Sequence, residues 1–242
     1  MLAQALSEAG FHVRATVTRP EARDNLFSAM KNTEVEVRGF TEVTLGEFLQ
    51  AGKADIVLDA THPFAARITR IAHAVCARQG VPYVRYERPD WQPPEGTLFA
   101  DSFIQAATML PCLGRRIMLT IGAKQLKHFS KLHDCMTLFA RILPSPISRM
   151  QAEAAGFSAE FLVCQRPPFS QEANKALFQR FGIDGLVTKA SGREGGVVEK
   201  VQAAVELRMK VLMIRRPNLP DIPAVATFDQ VLASCLAWRE KS

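Results

Sequence analysis

Short apolar runs and helical patterns alternate from one end of the chain to the other. Each run has the length of a strand and is bounded by turn residues. The predicted strands cover residues 11–17, 34–38, 55–59, 81–85, 116–121, 138–143, 161–165, 186–189 and 211–215. Strands that alternate with helices in this way form parallel sheets with helices on both faces. The alternation therefore predicts an α/β protein built from Rossmann-like parallel sheets.

A stretch rich in proline separates the two halves of this pattern. Residues 87–96 contain three prolines and a glycine among ten positions, a composition typical of a linker or crossover. We therefore expect two Rossmann-like parallel-sheet domains, residues 1–95 and residues 96–242, with a cleft between them. One continuous sheet is the alternative that the sequence leaves open.

The charge of the chain favours an anionic ligand. Lysine and arginine number 30 against 24 acidic residues, which gives a formal net charge of +6 over 242 residues. Nucleic-acid-binding proteins usually concentrate such charge in a run or arm with interleaved aromatic residues, whereas here only short pairs such as Arg115–Arg116 occur. The scattered charge indicates a small anionic ligand and argues against nucleic acid.

Composition also limits the compartment and the metals that we expect. No run approaches the ~20 apolar residues of a membrane span, and the first residues lack the basic start of a secretory signal, so we expect a cytoplasmic protein without membrane contact. The five cysteines include no C-x-x-C pair and the five histidines no H-x-x-x-H pair. We therefore expect reduced thiols and no bound metal.

The segment from Asp59 to Ala65 joins a buried strand to a helix and carries three side chains able to do chemistry. Ligands of open α/β sheets bind beyond the carboxyl ends of strands, so Asp59, Thr61 and His62 are predicted to line such a site. Pro63 fits the first position of the following helix. The alternative is structural: Thr61 or His62 caps that helix, and Asp59 accepts local backbone N–H bonds.

A second strand-to-helix turn is rich in glycine. It follows the strand 186–189, precedes a helix predicted over 197–207, and consists of Ser191, Gly192, Arg193, Glu194, Gly195 and Gly196. Glycines and a helix N-terminus let backbone N–H groups hold a phosphate or carboxylate, and Lys189 or Arg193 adds charge. The turn matches neither G-x-G-x-x-G nor the P-loop pattern. An ordinary tight turn with solvated charges is the alternative.

Residues 120–124 (TIGAK) form a similar turn at the end of the first strand of the second half. The two turns are predicted to share one crevice, because the carboxyl ends of parallel strands meet at one edge of a sheet. A solvated Lys124 on the surface is the alternative.

With these segments identified, the chain resembles the precorrin-6A reductase family of cobalamin biosynthesis, including its cobalt-precorrin-6A branch. The resemblance spans nearly the whole chain and depends on an ordered set of segments. These are residues 59–65 (DATHPFA), 82–89 (PYVRYERP), 120–124 (TIGAK), 141–144 (RILP), 188–196 (TKASGREGG), 199–200 (EK) and 211–217 (VLMIRRP).

The resemblance implies an oxidoreductase that reduces one double bond of a tetrapyrrole precursor with NADPH or NADH. The many carboxylates of that substrate would account for scattered positive charge. The resemblance does not say whether the cofactor is NADPH or NADH, or whether the substrate contains cobalt. Other enzymes of the pathway are possible partners. The implied roles are proton donation by His62, cofactor binding by Thr61 and the turn 191–196, and substrate binding by Asp59, Lys124, Arg141 and Lys189.

The beginning of the chain departs from the family pattern. Members usually begin with an apolar strand and a Gly-Gly-Thr type loop, whereas residues 1–10 already have the pattern of the helix that follows that loop. We therefore expect the first domain to lack its first strand and glycine-rich loop, either through a late start codon or through truncation. The alternative functions are an inactive truncated reductase and a non-catalytic module that binds a nucleotide or another anion.

Overall fold

Every strand pair in the described part of the chain is parallel. The computed structural model describes residues 2–27, 33–219 and 221–240. The strands are β1 (Val13–Val17), β2 (Thr33–Val37), β3 (Val57–Asp59), β4 (Tyr83–Tyr86), β5 (Leu98–Ala100), β6 (Arg116–Leu119), β7 (Thr137–Ile142), β8 (Leu162–Cys164), β9 (Gly185–Lys189), β10 (Lys210–Ile214) and β11 (Ala224–Val225).

Helices connect most of these strands. The α-helices are α1 (Leu2–Glu8), α2 (Pro20–Leu26), α3 (Glu42–Gly52), α4 (Ala66–Gln79), α5 (Phe103–Met109), α6 (Pro146–Ala154), α7 (Gln171–Phe181), α8 (Val197–Glu206) and α9 (Phe228–Arg239). Short 3-10 helices cover Leu110–Cys112, Ala123–Leu132, Ala159–Phe161 and Arg193–Gly195. The order of strands and helices confirms the predicted α/β class.

The predicted strands agree with the observed ones to within a few residues. Each of the nine predicted segments contains a strand, and the expected strand at 55–59 is shortened to β3. Residue types typical of helix ends stand at three boundaries: Ser145 accepts a hydrogen bond at the start of α6, Ser170 does so at the start of α7, and Gly80 ends α4 in the left-handed conformation. Strands β5 and β11 were not predicted.

Residues 90–217 form one compact unit around a six-stranded sheet. The strand order is β5-β10-β9-β6-β7-β8. Its central strands are fully enclosed, as Met118 of β6 and Leu186 of β9 have no exposed surface. Such burial on both faces is what continuous apolar runs predict for parallel strands.

Residues 1–89 and 218–242 form the other compact unit. This division differs from the predicted one at residues 95 and 96, because the end of the chain returns to the first unit. There β11 pairs with β4, and Val231 and Cys235 of α9 share a hydrophobic cluster with Leu6 of α1.

The first unit contains two separate parallel sheets. One pairs β1 with β2, and the other has the order β11-β4-β3. No strand among the described residues joins them. In the second sheet Asp59 lies directly opposite Arg85 in register, which places the two side chains on the same face of the sheet.

No α-helix among the described residues is both long enough and apolar enough to cross a lipid bilayer.

Candidate functional site

Asp59 ends β3 and is only 5% exposed. Both of its carboxylate oxygens are engaged within the first unit. Oδ1 accepts hydrogen bonds from the Thr61 backbone N–H (2.9 Å) and from Arg85 Nη1 (2.9 Å), and Oδ2 accepts one from the Tyr83 hydroxyl (2.7 Å). The local backbone bond predicted for Asp59 as the structural alternative is therefore confirmed.

These contacts determine the charge of the group. Burial by itself raises the pKa of Asp59, but the Arg85 guanidinium and the hydrogen bonds from Thr61 and Tyr83 lower it below its ordinary value. Burial, and next the Asp59 charge, raise the pKa of Tyr83. Asp59 is thus a carboxylate held by its neighbours, and the substrate contact that the resemblance implies for it stays a prediction.

Thr61 and His62 follow in an extended turn before α4. Thr61 Oγ1 accepts a hydrogen bond from Arg85 Nη1 (3.1 Å). His62 Nδ1 accepts the Phe64 backbone N–H (3.1 Å), so a neutral His62 ring carries its proton on Nε2. The resemblance places chemistry at this ring, and the turn fixes the tautomer of its neutral form.

Helix α4 begins later than expected. Its first residue is Ala66, and Ala65 precedes it without any side-chain cap. The prediction of Pro63 at the first helical position is wrong, because the Ala65 N–H bonds to the His62 carbonyl (2.7 Å) and closes a turn there. Capping of this helix by Thr61 or His62 is excluded as well.

The second unit brings its two polar turns together. Strands β6 and β9 are neighbours, and the Thr120 backbone N–H and Oγ1 both donate to the Val187 carbonyl (2.9 and 3.1 Å). A side chain added at Gly122 would have its Cβ 4.0 Å from Lys189 Nζ. Lys189 therefore extends over the turn that follows β6, whereas Lys124 is exposed.

The glycine-rich turn needs its glycines. Gly192 and Gly196 have φ angles of +79° and +61°, a region that other residues rarely adopt. A Cβ at Gly195 would overlap Ser191 Oγ. Ser191 is buried, Arg193 is exposed, and the side chain of Glu194 lies outside the described residues. Gly196 precedes α8 and has no side chain to cap it, and the first backbone N–H groups of a helix lack partners within the helix.

Two cations flank this turn in sequence, and a third acts on the charge of one of them. Arg141, at 8% exposed, comes from β7, Lys189 ends β9, and Lys200, at 7% exposed, comes from α8. Arg141 Nη1 donates to Asn174 Oδ1 (2.7 Å), and its guanidinium lies 4.1 Å from the centre of the Phe169 ring.

Burial shifts the pKa of each of these cations downward. It lowers the pKa of Arg141 to about 10 and lowers that of Lys189. For Lys200, burial and then the charges of Arg141 and Lys189 lower the pKa to about 7, while Glu199 acts in the opposite direction. At neutral pH Arg141 stays charged, whereas Lys200 loses its proton more readily than an ordinary lysine.

Sequence reasoning missed Lys200, although a signal is present. Val197, Val201 and Ala204 form the buried stripe of α8, and Lys200 lies on the same side, three residues after Val197 and four before Ala204. A lysine within an apolar helical stripe is unusual unless it is needed there.

A cavity of about 460 Å³ opens beside Arg141. The size is typical of small-molecule sites. Its walls combine further basic groups with apolar surface, and the lining residues are Arg141, Gln165, Arg166, Phe169, Ala173, Ala176, Leu177 and Arg180. Arg141 thus contacts both this cavity and the cluster of buried cations.

The second unit fits an anionic oxygen group of the kind that a nicotinamide dinucleotide carries in its phosphates. The fit depends on the close approach of backbone at Gly195, the open start of α8 and the buried cations next to them. The same features suit a carboxylate. Ser191–Gly196, Lys189 and Arg141 are the residues that would hold such a group.

Comparison with known proteins identifies the family. The family model described as precorrin-6x reductase CbiJ/CobK matches residues 1–236. Cobalt-precorrin-6A reductase of Synechocystis sp. is 39% identical over 232 residues, which cover 94% of this chain and 87% of that protein. Precorrin-6A reductase of Rhodococcus erythropolis is 40% identical over 209 residues, or 85% of this chain and 79% of that protein.

Solved structures agree with this result. The structure described as CobK precorrin-6A reductase superposes with a TM-score of 0.79 at 25% sequence identity and covers 98% of this chain and 91% of its own. The chain therefore belongs to the precorrin-6x reductase family of cobalamin biosynthesis and is an oxidoreductase of that family.

Proposed function

We propose that this chain reduces a carbon–carbon double bond of precorrin-6A or cobalt-precorrin-6A, with NADPH or NADH as the reductant. The observation that carries the proposal is the burial of Arg141 at the carboxyl end of β7 and of Lys200 in α8, in a chain whose relatives carry these names. Buried cations usually have anionic partners, and a tetrapyrrole polycarboxylate and a dinucleotide both supply anionic groups.

The second unit has the binding role in this proposal. Arg141 and Lys189 bind carboxylates of the substrate, and Lys124, which is exposed, binds an outer one. The turn from Ser191 to Gly196 holds a phosphate of the cofactor through backbone N–H groups. Arg141 keeps a fixed orientation because Asn174 accepts its Nη1 hydrogen bond and Phe169 lies under its guanidinium.

The first unit has the chemical role. A bound reduced nicotinamide supplies a hydride, and the adjacent carbon of the substrate then needs a proton. His62 is the proposed donor, as the imidazolium through Nε2; donation leaves the remaining ring proton on Nδ1, so the hydrogen bond that Nδ1 accepts from the Phe64 backbone N–H in the neutral ring is open in that state. Thr61 is proposed to contact the cofactor, with its hydroxyl oriented by Arg85, and Asp59 to keep Arg85 and Thr61 in place.

The test is an anaerobic assay of the purified full chain with precorrin-6A and with cobalt-precorrin-6A. We expect oxidation of NADPH or NADH only when the tetrapyrrole is present, and a product heavier by two hydrogens. Comparing the two cofactors and the two substrates settles both open choices. Saturable binding of either ligand without turnover would instead support a binding module or an inactive reductase.

A second assay tests His62. We expect His62→Ala to lower kcat and to remove a basic limb from its pH profile, with little change in KM. His12→Ala, which changes an exposed histidine of the same unit, is the matched control and should leave both unchanged. An unchanged rate and pH profile in His62→Ala would rule out this histidine as the donor.

A further inference from the structure

The cavity of about 460 Å³ lies at the carboxyl ends of β7 and β8, within the second unit. Arg141 lines it from β7, and the segment that follows β8 lines it through Gln165, Arg166 and Phe169. One face of α7 forms the remaining wall, because its lining residues recur at helical spacing: Ala173, Ala176, Leu177 and Arg180. Ligands of parallel sheets bind beyond the carboxyl ends of strands, so the cavity lies where a ligand is expected.

Arg141 reaches this cavity in a fixed orientation. It is 8% exposed, and its Nη1 donates to Asn174 Oδ1 (2.7 Å). The Asn174 amide is itself fixed, since its Nδ2 donates to the Ser170 carbonyl (2.7 Å). Arg141 makes no other hydrogen bond and no ion pair in the described part of the chain, and protein atoms enclose neither its Nε nor its Nη2. A guanidinium carries five N–H donors, so Arg141 offers several of them to a ligand in the cavity.

Two more arginines line the cavity, and neither has an acidic partner among the described residues. Arg166 and Arg180 are exposed, and their guanidinium groups form no hydrogen bond and no ion pair with any described side chain. The described residues that line the cavity include no acidic residue. Its described wall therefore presents three guanidinium groups and no carboxylate.

The described acidic side chains of the surrounding elements lie elsewhere. Glu172, in the first turn of α7, is the one acidic residue within β7, β8 and α7, and it does not line the cavity. On α8, which packs against α7, Glu206 forms an ion pair (2.9 Å) with a lysine of α7, and Glu199 lies beside the turn 191–196. The side chain of Glu194 lies outside the described residues. The three arginines are thus open to an anionic ligand from solution.

We infer that this cavity binds an edge of the tetrapyrrole and holds its carboxylate arms on Arg141, Arg166 and Arg180. A carboxylate accepts two parallel hydrogen bonds from a forked guanidinium. The apolar stem of an arm contacts Phe169 and Leu177, which are partly buried beside the arginines. The volume is typical of small-molecule sites and exceeds that of one arm, so part of the macrocycle enters with it.

The identity of the ligand rests on the proposed function, and a phosphate of the dinucleotide is the other source of anionic oxygens. The apolar part of the wall favours the tetrapyrrole, because a phosphate has no apolar stem to bury against Phe169 and Leu177. The two sources are distinguished by titrating the full chain with precorrin-6A or cobalt-precorrin-6A alone, and separately with NADP⁺ alone. None of these mixtures can react.

Isothermal titration calorimetry measures the contribution of the two exposed arginines. Arg166→Gln and Arg180→Gln should each bind the tetrapyrrole about 3- to 10-fold more weakly, and the double variant about 10- to 100-fold, because each loses a charge-assisted hydrogen bond to a carboxylate. Their affinity for NADP⁺ should not change. Arg180→Lys keeps the charge without the fork, so its affinity should lie between those of wild type and Arg180→Gln.

A further variant fills the cavity without changing its charge. Ala173 is exposed on the α7 wall, so Ala173→Leu should fold and should bind the tetrapyrrole about 10-fold more weakly or worse through loss of space. Two matched controls should retain wild-type affinity. Arg115→Gln removes an exposed arginine before β6, and Ala154→Leu enlarges an exposed alanine of α6. Thermal unfolding of each variant checks that it is folded.

Chemical protection locates the ligand without any substitution. Phenylglyoxal modifies exposed arginines, and mass spectrometry of digests measures the modification at each site. The bound tetrapyrrole should protect Arg166 and Arg180 and leave Arg115 reactive.

The assignment of the cavity is overturned if wild type binds neither tetrapyrrole, if the double variant binds as tightly as wild type, or if the affinity for NADP⁺ falls instead. Full reactivity of Arg166 and Arg180 in the complex overturns it as well. Normal turnover by wild type with an unchanged KM for the tetrapyrrole in the double variant overturns this assignment alone. Weaker tetrapyrrole binding by the double variant, with no turnover by wild type, overturns the proposed reductase activity alone.

Discussion

Replacement of Lys200 by methionine is expected to stabilise the second unit. Methionine has a similar length and no charge, so it fits an apolar stripe with little repacking. The lowering of the Lys200 pKa from 10.5 to about 7 corresponds to a penalty of about 4 kcal/mol at pH 7, on the basis of ~1.36 kcal/mol for each tenfold change in proton affinity. Removal of the ammonium removes that penalty.

The sign of the pH dependence follows from proton binding. Between about pH 7 and pH 10.5 the unfolded chain holds a proton on this lysine that the folded chain largely lacks, so wild-type stability rises with pH in that window. Below about pH 7 the buried ammonium destabilises the folded chain to the full extent. At pH 9 the penalty falls to about 2 kcal/mol, and the advantage of Lys200→Met should shrink by about 2 kcal/mol.

Urea unfolding followed by tryptophan fluorescence measures the effect. The chain has two tryptophans; Trp91 packs against the core of the second unit, and Trp238 lies in α9 of the first. A Trp238→Phe background therefore makes fluorescence report on the second unit, and this background alone is the control. The reasoning would be refuted if Lys200→Met were less stable than the control at both pH values. It would also be refuted if the difference in free energy of unfolding between the two did not become smaller from pH 7 to pH 9.

Three other predictions concern Asp59, Gly195 and Cys76. Asp59→Ala leaves the buried Arg85 charge with Glu87, 3.8 Å away, as its carboxylate partner. The free energy of unfolding of the first unit should fall by about 3–5 kcal/mol, measured by urea unfolding in a Trp91→Phe background; an effect below ~1 kcal/mol contradicts this. Gly195→Ala should weaken the binding of NADP⁺ or precorrin-6A, because its Cβ overlaps Ser191 Oγ. Adding Ser191→Gly should restore the affinity, as isothermal titration calorimetry of each variant with each ligand would show. Burial and then the Asp59 charge raise the pKa of Cys76 to about 11, so it should resist alkylation at pH 8 until the chain unfolds, as mass spectrometry of digests would show.

Local patterns predicted most of the elements because burial and periodicity act over short stretches of sequence. The strand that ends at Lys189 and the helix that follows Gly196 are where the pattern places them. The return of residues 218–242 to the first unit was not predictable in this way. Strand β11 has two residues, and only its backbone pairing with β4 identifies it.

The site could be predicted in part for the same reason. The turn 191–196 carries its signal in its own glycines. The network around Asp59 depends on the register that sets Arg85 opposite it in a neighbouring strand, and no local pattern specifies that register. Lys200 has a local signal, but its meaning depends on Arg141 and Lys189, which are distant in sequence and meet only in the folded sheet.

The division of the first unit across the chain has a consequence for folding during synthesis. Residues 90–217 are contiguous, so their sheet can form as soon as they leave the ribosome. One hydrophobic cluster of the first unit is completed only later, since Leu6 of α1 packs against Val231 and Cys235 of α9. Its amino-terminal part is made first and is completed last. Through most of translation the apolar face of α1 is therefore exposed to chaperones and to other nascent chains.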